Sequence, residues 1–311
     1  MSFHQEPLTE ETAALAEDAE IVAVFVYCNV NAAALMKMPN LKLVTTRSMG
    51  FDHIDLDACA ARGVTVCRVP AYGVQTVAEH AFALMFALSR KIFQAYERTE
   101  KGVFDYHGLR GFDLKGKTLG VIGGGRIGMN VTTIARAMGM NVVVTDPNPR
   151  AELAEEHGFT YAPLEEMLPQ ADVVTLHVPH LPATHHMLNS KTFPLMKEGS
   201  VLVNTSRGGL VDTQALLEAL ESGRLAGAGL DVIEEEGCFK EEAQLATGKY
   251  HSECDLQAIV RNHALISRDD VIITPHIAWY SNEAVMRILD TTKENIVKFA
   301  DGEPINLVET R

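Results

Sequence analysis

Five residues of strand character, Thr118-Leu-Gly-Val-Ile122, run straight into Gly123-Gly-Gly-Arg-Ile-Gly128, and a helical pattern from Met129 to Met138 follows. No other stretch restricts the fold as tightly. Between a strand and a helix, a G-x-G-x-x-G spacing gives each glycine a task. Gly123 permits the tight turn, Gly125 lets a ligand approach the backbone, and Gly128 lets helix and strand pack closely. The free amides at the start of the helix, at the positive end of its dipole, suit a pyrophosphate. Asp146 ends the next predicted strand, 23 residues after Gly123, where an acid accepts hydrogen bonds from ribose hydroxyls. The pattern predicts a bound dinucleotide, NAD in preference to NADP, because a carboxylate repels a 2′-phosphate. Arg150 follows closely and is the residue type that accommodates that phosphate.

The glycine turn belongs to a longer alternation. Strands are predicted at 118–122, 141–145, 172–176, 200–204, 226–230 and 271–273, with helical patterns between them, which is the count of a doubly wound parallel sheet. Upstream, the runs Ile21–Tyr27, Leu41–Thr46 and Val64–Val69 alternate with helical Ala32–Met38 and Leu56–Ala61. A long apolar helix from Thr76 to about Tyr96 follows, with Ala78, Phe82, Met85, Phe86 and Ser89 on one face. The helix from Asn282 to about Phe299 returns to the first unit. At 311 residues two domains are expected. The α/β fold expected has two doubly wound parallel-sheet domains, the second inserted into the smaller first, divided as 1–75, 76–279 and 280–311.

Charge excludes some functions. Lys and Arg number 27 against 41 Asp and Glu, a net charge of −14, which disfavours phosphate backbones and anionic membrane surfaces alike. With 47% apolar residues the chain can bury a core, so a long disordered chain is ruled out. The cysteines Cys28, Cys59, Cys67, Cys238 and Cys254 stand singly and suggest a reducing compartment; Cys28 and Cys67 read as packing residues on strands. Met1 to Glu10 lacks the layout of a signal peptide, and no apolar run nears the roughly 20 residues that span a bilayer. A soluble, cytoplasmic protein is expected.

Three polar residues fall just beyond predicted strands: Arg207 after 200–204, Glu236 in the loop after 226–230, and His276 after 271–273. In open α/β sheets ligands bind outside the carboxyl ends of the strands. An arginine holds a carboxylate in a two-point pair, an imidazole exchanges protons at neutral pH, and a neighbouring carboxylate orients it and stabilises its charged form. Around a nicotinamide these groups describe hydride transfer on a 2-keto or 2-hydroxy acid.

Together with these, the segments Arg47-Ser-Met-Gly-Phe-Asp-His-Ile-Asp55, Val69-Pro-Ala-Tyr72, Val77-Ala-Glu-His80, His177-Val-Pro179, Asn204-Thr-Ser-Arg-Gly208, Leu230-Asp231 and Pro275-His-Ile-Ala-Trp-Tyr-Ser281 resemble the D-isomer-specific 2-hydroxyacid dehydrogenases, most of all the NAD-dependent D-lactate dehydrogenases, from about residue 8 to 300. The resemblance implies a Rossmann domain inserted into a flavodoxin-like substrate domain. It assigns Arg207 to the substrate carboxylate and keto oxygen, His276 to proton donation and Glu236 to its charge partner. The backbone amides of Met49 and Gly50 would hold the carboxylate, with Tyr72 and Trp279 beside the substrate. Arg126 and Ile127 would meet the pyrophosphate, and Asp146 the ribose. Thr76, Val178, Pro179, Thr184, Thr205 and Ser206 would flank the dinucleotide, and Asp231 would meet the nicotinamide carboxamide. A substrate cleft between the domains and a homodimer formed through the Thr76 helix and Phe104–Phe112 are also implied, and the two chain crossings, near Tyr72–Thr76 and His276–Tyr280, suggest that the cleft closes.

The chain departs from the family in three places. The strand and helix that usually precede the Phe3 region are not expected here, and a first sheet one strand short is expected, read as a truncated or misassigned start and not as a new topology. Gly237 stands where proline is frequent, and His180-Leu follows Pro179 where Leu-Thr is common. The histidines His177, His180, His185 and His186, and the pair His251 and Cys254, lack ligand spacing for a metal, and none is expected. Pyruvate is the expected substrate. The alternatives are a bulkier keto acid, glyoxylate or phosphite, or an NAD-sensing module like the C-terminal-binding corepressors, which share the Ala-Trp-Tyr-Ser segment.

Overall fold

A computed structural model describes residues 2–236 and 256–308. Gly237, Cys238, His251 and Cys254 lie outside the described residues. The chain divides into two compact units, one made of Met1–Gly73 and Tyr280–Arg311, the other of Val74–Trp279.

In the first unit, β1 (Ile21–Val24), β2 (Leu43–Thr46) and β3 (Thr65–Cys67) form a parallel sheet in the order β1-β2-β3. The helices α1 (Ala32–Met36) and α2 (Leu56–Ala61) connect them, and each begins at a side chain that accepts an amide three residues on, Asn31 from Ala34 and Asp55 from Ala58. Such caps satisfy donors that the first helical turn leaves free. The run expected to extend to Tyr27 ends as strand at Val24. Cys28 therefore lies in a loop, not on a strand, where its Sγ accepts the Leu8 amide at 3.3 Å. The C-terminal helix Asn282–Ala300 packs on β2. Its fully buried Asn295 donates to Arg68 O at 3.0 Å and accepts from Asn306 at 2.8 Å, which fixes helix and tail to the sheet.

The second unit carries a seven-stranded parallel sheet. Its strands are β4 (Thr118–Ile122), β5 (Asn141–Thr145), β6 (Thr160–Tyr161), β7 (Val173–Leu176), β8 (Ser200–Asn204), β9 (Leu225–Leu230) and β10 (Val271–Ile273), in the order β10-β9-β8-β7-β4-β5-β6. Successive residues point to opposite faces, and both faces are buried. Leu119, Val121, Val142, Val144, Val201 and Val203 join one apolar cluster, whereas Ile122, Val143, Val174, Leu176 and Leu202 join the other. Double burial explains why these strands read as continuous apolar runs. The chain builds β4, β5 and β6 outward, then returns to lay β7 on the other side of β4. That reversal opens the crevice in which such sheets bind ligands.

Two expectations need correction here. The sheet has a seventh strand, β6, whose two residues are too short to leave a pattern in the sequence. The helix expected from Thr76 to Tyr96 is two helices, α3 (Val74–Ser89) and α4 (Ile92–Glu100). The Ser89 carbonyl accepts the Phe112 amide at 2.9 Å instead of the amide four residues on, and Lys91 takes the left-handed conformation with φ 55°. A partner 23 residues away breaks the helix, so no local breaker marks the point.

Candidate active site

The glycine turn is built as its spacing requires. Gly123 has φ 102°, and a Cβ there would sit 2.5 Å from His177 O and 2.7 Å from Val178 Cγ1. A Cβ on Gly128 would overlap the Gly123 carbonyl oxygen, whereas one on Gly125 would meet only open space. The turn is thus tight against its own backbone and open toward the side where a ligand would lie. Helix α5 (Arg126–Ala137) starts three residues earlier than its apolar pattern suggests, so the amides of Arg126 and Ile127 lie in its first turn, where no carbonyl four residues back pairs them. Gly128→Ala forces the turn apart. We expect a loss of roughly 1–3 kcal/mol of stability and at least tenfold weaker NADH binding, read by thermal unfolding and fluorescence titration.

Asp146 lies just past β5. Its Oδ2 accepts the Gly124 amide at 2.7 Å and its Oδ1 the Asn148 amide at 2.8 Å, while Arg150 donates to Gly124 O at 2.8 Å. The acid is therefore fixed beside the glycine turn. Beyond β8, the buried Asn204 ties the next turn together: its Oδ1 accepts the Ser206 amide at 3.0 Å and its Nδ2 donates to Arg207 O at 2.8 Å. Ser206 Oγ donates to Leu176 O at 2.6 Å. Thr205 Oγ1 is buried and has no hydrogen-bond partner among the described residues. An orphaned hydroxyl, an open Gly125 and free helix amides, all at the sheet's crevice, fit a dinucleotide. Val178 is half-buried and Pro179 exposed; Thr184 Oγ1 donates to Pro179 O at 2.7 Å and so shapes that loop. Thr76 is half-buried in the first turns of α3.

Strands β8, β9 and β10 are neighbours, so the loops that carry Arg207, Glu236 and His276 leave adjacent strand ends, about 5 Å apart from one strand to the next. His276 Nδ1 lies 2.7 Å from Glu236 Oε1, with side-chain exposures of 20% and 32%. A carboxylate only accepts, so Nδ1 carries the hydrogen and Nε2 is left for a reacting atom. The His276 backbone is left-handed, φ 54°. Trp279 Nε1 donates to His276 O at 3.0 Å, and Arg207 Nη1 donates to Ser206 O at 2.8 Å. Asp231 is 1% exposed and its carboxylate is taken up by Thr274, Ile277 and Ala278.

In the first unit, Met49 and Gly50 form a half-buried turn after β2. Ser48 Oγ donates to Gly50 O at 2.6 Å and lies 2.6 Å from Thr46 Oγ1, which lies 3.1 Å from His53 Nε2. That chain of hydroxyls holds the two amides in place, and Ser48 and His53 both stand inside the Arg47–Asp55 segment. Tyr72 is half-buried, and Arg287 donates to its carbonyl.

Among the described residues no group of three or more His, Cys, Asp or Glu could hold a metal ion. His180 Nε2 lies 3.0 Å from His185 Nδ1, and His186 Nε2 lies 2.5 Å from Glu234 Oε1. His177 instead serves the sheet. Its Nε2 bonds Thr175 Oγ1 at 2.9 Å, and desolvation pushes its pKa down to about 3. Below about pH 6.5 the unfolded chain takes up a proton that the folded chain refuses until about pH 3, so stability falls as pH drops through that window. We expect a loss on the order of 2–4 kcal/mol by pH 4. Thermal unfolding at pH 7.5 and pH 4.5 should show a smaller acid shift for His177→Gln than for the parent.

With the geometry established, comparison with known proteins places the chain. Residues 82–278 match the family described as D-isomer specific 2-hydroxyacid dehydrogenase, NAD binding domain. The chain belongs to the D-isomer-specific 2-hydroxyacid dehydrogenases. Among relatives of this dehydrogenase, a 2-hydroxyacid dehydrogenase homolog of Haemophilus influenzae is 40% identical over 97% of this chain and 89% of its own length. The D-lactate dehydrogenase of Escherichia coli is 38% identical over 97% and 90%. The solved structure of the Aquifex aeolicus D-lactate dehydrogenase, complexed with NAD and lactic acid, superposes with a TM-score of 0.84 at 40% identity, covering 94% of this chain and 86% of that one. The chain is thus an NAD-dependent D-2-hydroxyacid dehydrogenase, and its two-sheet α/β architecture is the family's. No helix among the described residues is long and apolar enough to cross a membrane.

Proposed function

We propose that this dehydrogenase reduces a small 2-keto acid, pyruvate before others, to the D-2-hydroxy acid. The observation that carries the reading is the His276–Glu236 pair at 2.7 Å on strand ends adjacent to that of Arg207. Bound NADH supplies the hydride that reaches C2. Arg207 binds the substrate carboxylate and keto oxygen through paired N–H groups. His276 holds a proton on Nε2 and gives it to the carbonyl oxygen as charge grows there. Glu236 keeps Nδ1 occupied, sets the ring's orientation and stabilises its charged form before transfer. Developing negative charge on oxygen is met by the guanidinium and the imidazolium together, the term that most lowers such barriers. Met49, Gly50, Tyr72 and Trp279 are assigned to the substrate, and Thr76, Arg126, Ile127, Val178, Pro179, Thr184, Thr205, Ser206 and Asp231 to the cofactor, on the family resemblance.

NADH oxidation across pyruvate, phenylpyruvate, 2-ketoisocaproate and glyoxylate, and NAD reduction by phosphite, tests the substrate. The highest kcat/KM with pyruvate and a D product supports the reading; preference for another acceptor, or an L product, overturns it. Binding of NADH without turnover of any of these would favour a nucleotide-sensing module. We further propose a homodimer. Phe93, Tyr96, Phe104 and Tyr106, on α4 and the segment after it, are exposed and fall in and beside the region through which the family resemblance implies dimer contact. Light scattering should give twice the 34.0 kDa chain mass; the mass of one chain refutes it.

A further inference from the structure

The segment that carries His276 is folded around one buried carboxylate. Asp231 Oδ1 accepts the Thr274 hydroxyl at 2.5 Å and the Ile277 amide at 2.9 Å, and Oδ2 accepts the Ala278 amide at 2.8 Å. The His276 amide donates to the Asp231 carbonyl at 2.9 Å. Asp231 therefore binds residues on both sides of His276, whose left-handed backbone (φ 54°) persists only where its surroundings hold it. Because the Thr274 hydrogen points to Asp231, its oxygen is free to accept. It lies 3.0 Å from His80 Nε2, on α3, which is also 3.5 Å from Asp231 Oδ1. That arrangement places the ring hydrogen on Nε2. Donation runs from His80 to Thr274 to Asp231, and the two amides that follow His276 donate to the same carboxylate.

We propose that His80 and Thr274 are positioning residues for proton transfer: through the Asp231 carboxylate they hold the 274–278 turn so that His276 Nε2 faces the reacting oxygen. Neither touches substrate in this scheme. Without the imidazole N–H the Thr274 hydroxyl can rotate, and a desolvated carboxylate loses a fixed donor. The turn then relaxes from its unfavourable backbone angle. A displacement of about 1 Å at a reacting group costs as much as 100-fold in rate.

The proposal rests on His276 as the proton donor, and the experiment separates the two. His80→Leu, His80→Gln, Thr274→Val, Thr274→Ser and His276→Asn are compared for kcat, KM, NADH affinity and the solvent deuterium isotope effect on kcat. We expect His80→Leu and Thr274→Val each to lower kcat by about 10- to 100-fold, with NADH affinity within about twofold and a larger isotope effect. His80→Gln, whose side-chain amide can donate at a similar reach, and Thr274→Ser, which keeps the hydroxyl, should restore most of the turnover. The double variant His80→Leu/Thr274→Val should be no slower than the slower single one, because both break one chain. Should His80→Leu fail to fold, the Thr274 pair makes the same comparison. Unchanged kcat in His80→Leu and Thr274→Val, equal losses in the conservative variants, or losses confined to NADH affinity overturn the positioning role. If His276→Asn keeps full turnover, the proposed function itself fails.

Discussion

His276→Asn should lower kcat for keto-acid reduction by about 10²–10⁴-fold, the usual contribution of a positioned acid, while NADH affinity stays within about twofold. Asparagine suits the site for two reasons. It tolerates the left-handed backbone at this position (φ 54°) better than most residues that carry a side chain, and its amide can still reach Glu236 from roughly where Nδ1 stands. What it lacks is any group at Nε2. Stopped-flow NADH oxidation with saturating pyruvate isolates this step. A loss below about threefold would remove His276 from the chemistry and leave a nucleotide-binding protein. Glu236→Gln should have the smaller effect, because the ring and its donor atom remain and only the stabilisation of its charged form is weakened.

Arg207→Leu should lower kcat/KM for the keto acid by about 10²–10³-fold, the scale of removing one partner from a desolvated charged pair. Most of the loss should appear in KM, with a part in kcat, because the guanidinium meets both the carboxylate, charged throughout, and the oxygen, charged only as reduction proceeds. Arg207→Lys should recover little: an ammonium restores charge without the two-point fork. The turn that presents Arg207 is held by Asn204 and Ser206, so the backbone survives the change. Unaltered KM and kcat would show that the substrate's anionic end is held elsewhere.

Most of this site was legible because its parts are short and their spacing is set by backbone geometry. The glycine turn announces itself, since only glycine avoids collision at Gly123 and Gly128, and Arg207, Glu236 and His276 each follow an apolar run of strand length. The His276–Glu236 pairing is visible once the three strands are known to be neighbours. What stayed hidden is long-range. The break between α3 and α4 depends on the Phe112 amide reaching Ser89 O, and β6 is a pairing of two residues against β5. His80 and Thr274 lie 194 positions apart, so neither signals a role through its own neighbours. The resemblance marks Asp231 only as a cofactor contact; that its carboxylate also gathers the turn around His276 shows only in the fold. His80 closes one recognisable motif and Thr274 stands just before another; the hydrogen bond joining them leaves no mark in either.

Asn295 sits on the last long helix and is tied to Arg68, 227 residues earlier. A ribosome therefore releases the first 73 residues long before it makes the helix that covers β2. The opening sheet of this enzyme must wait, half-dressed, through the synthesis of the entire nucleotide-binding unit, which has every strand it needs by Ile273. Any chain that stops short of Asn295 leaves the Arg68 carbonyl without its donor and β2 without the helix that covers it.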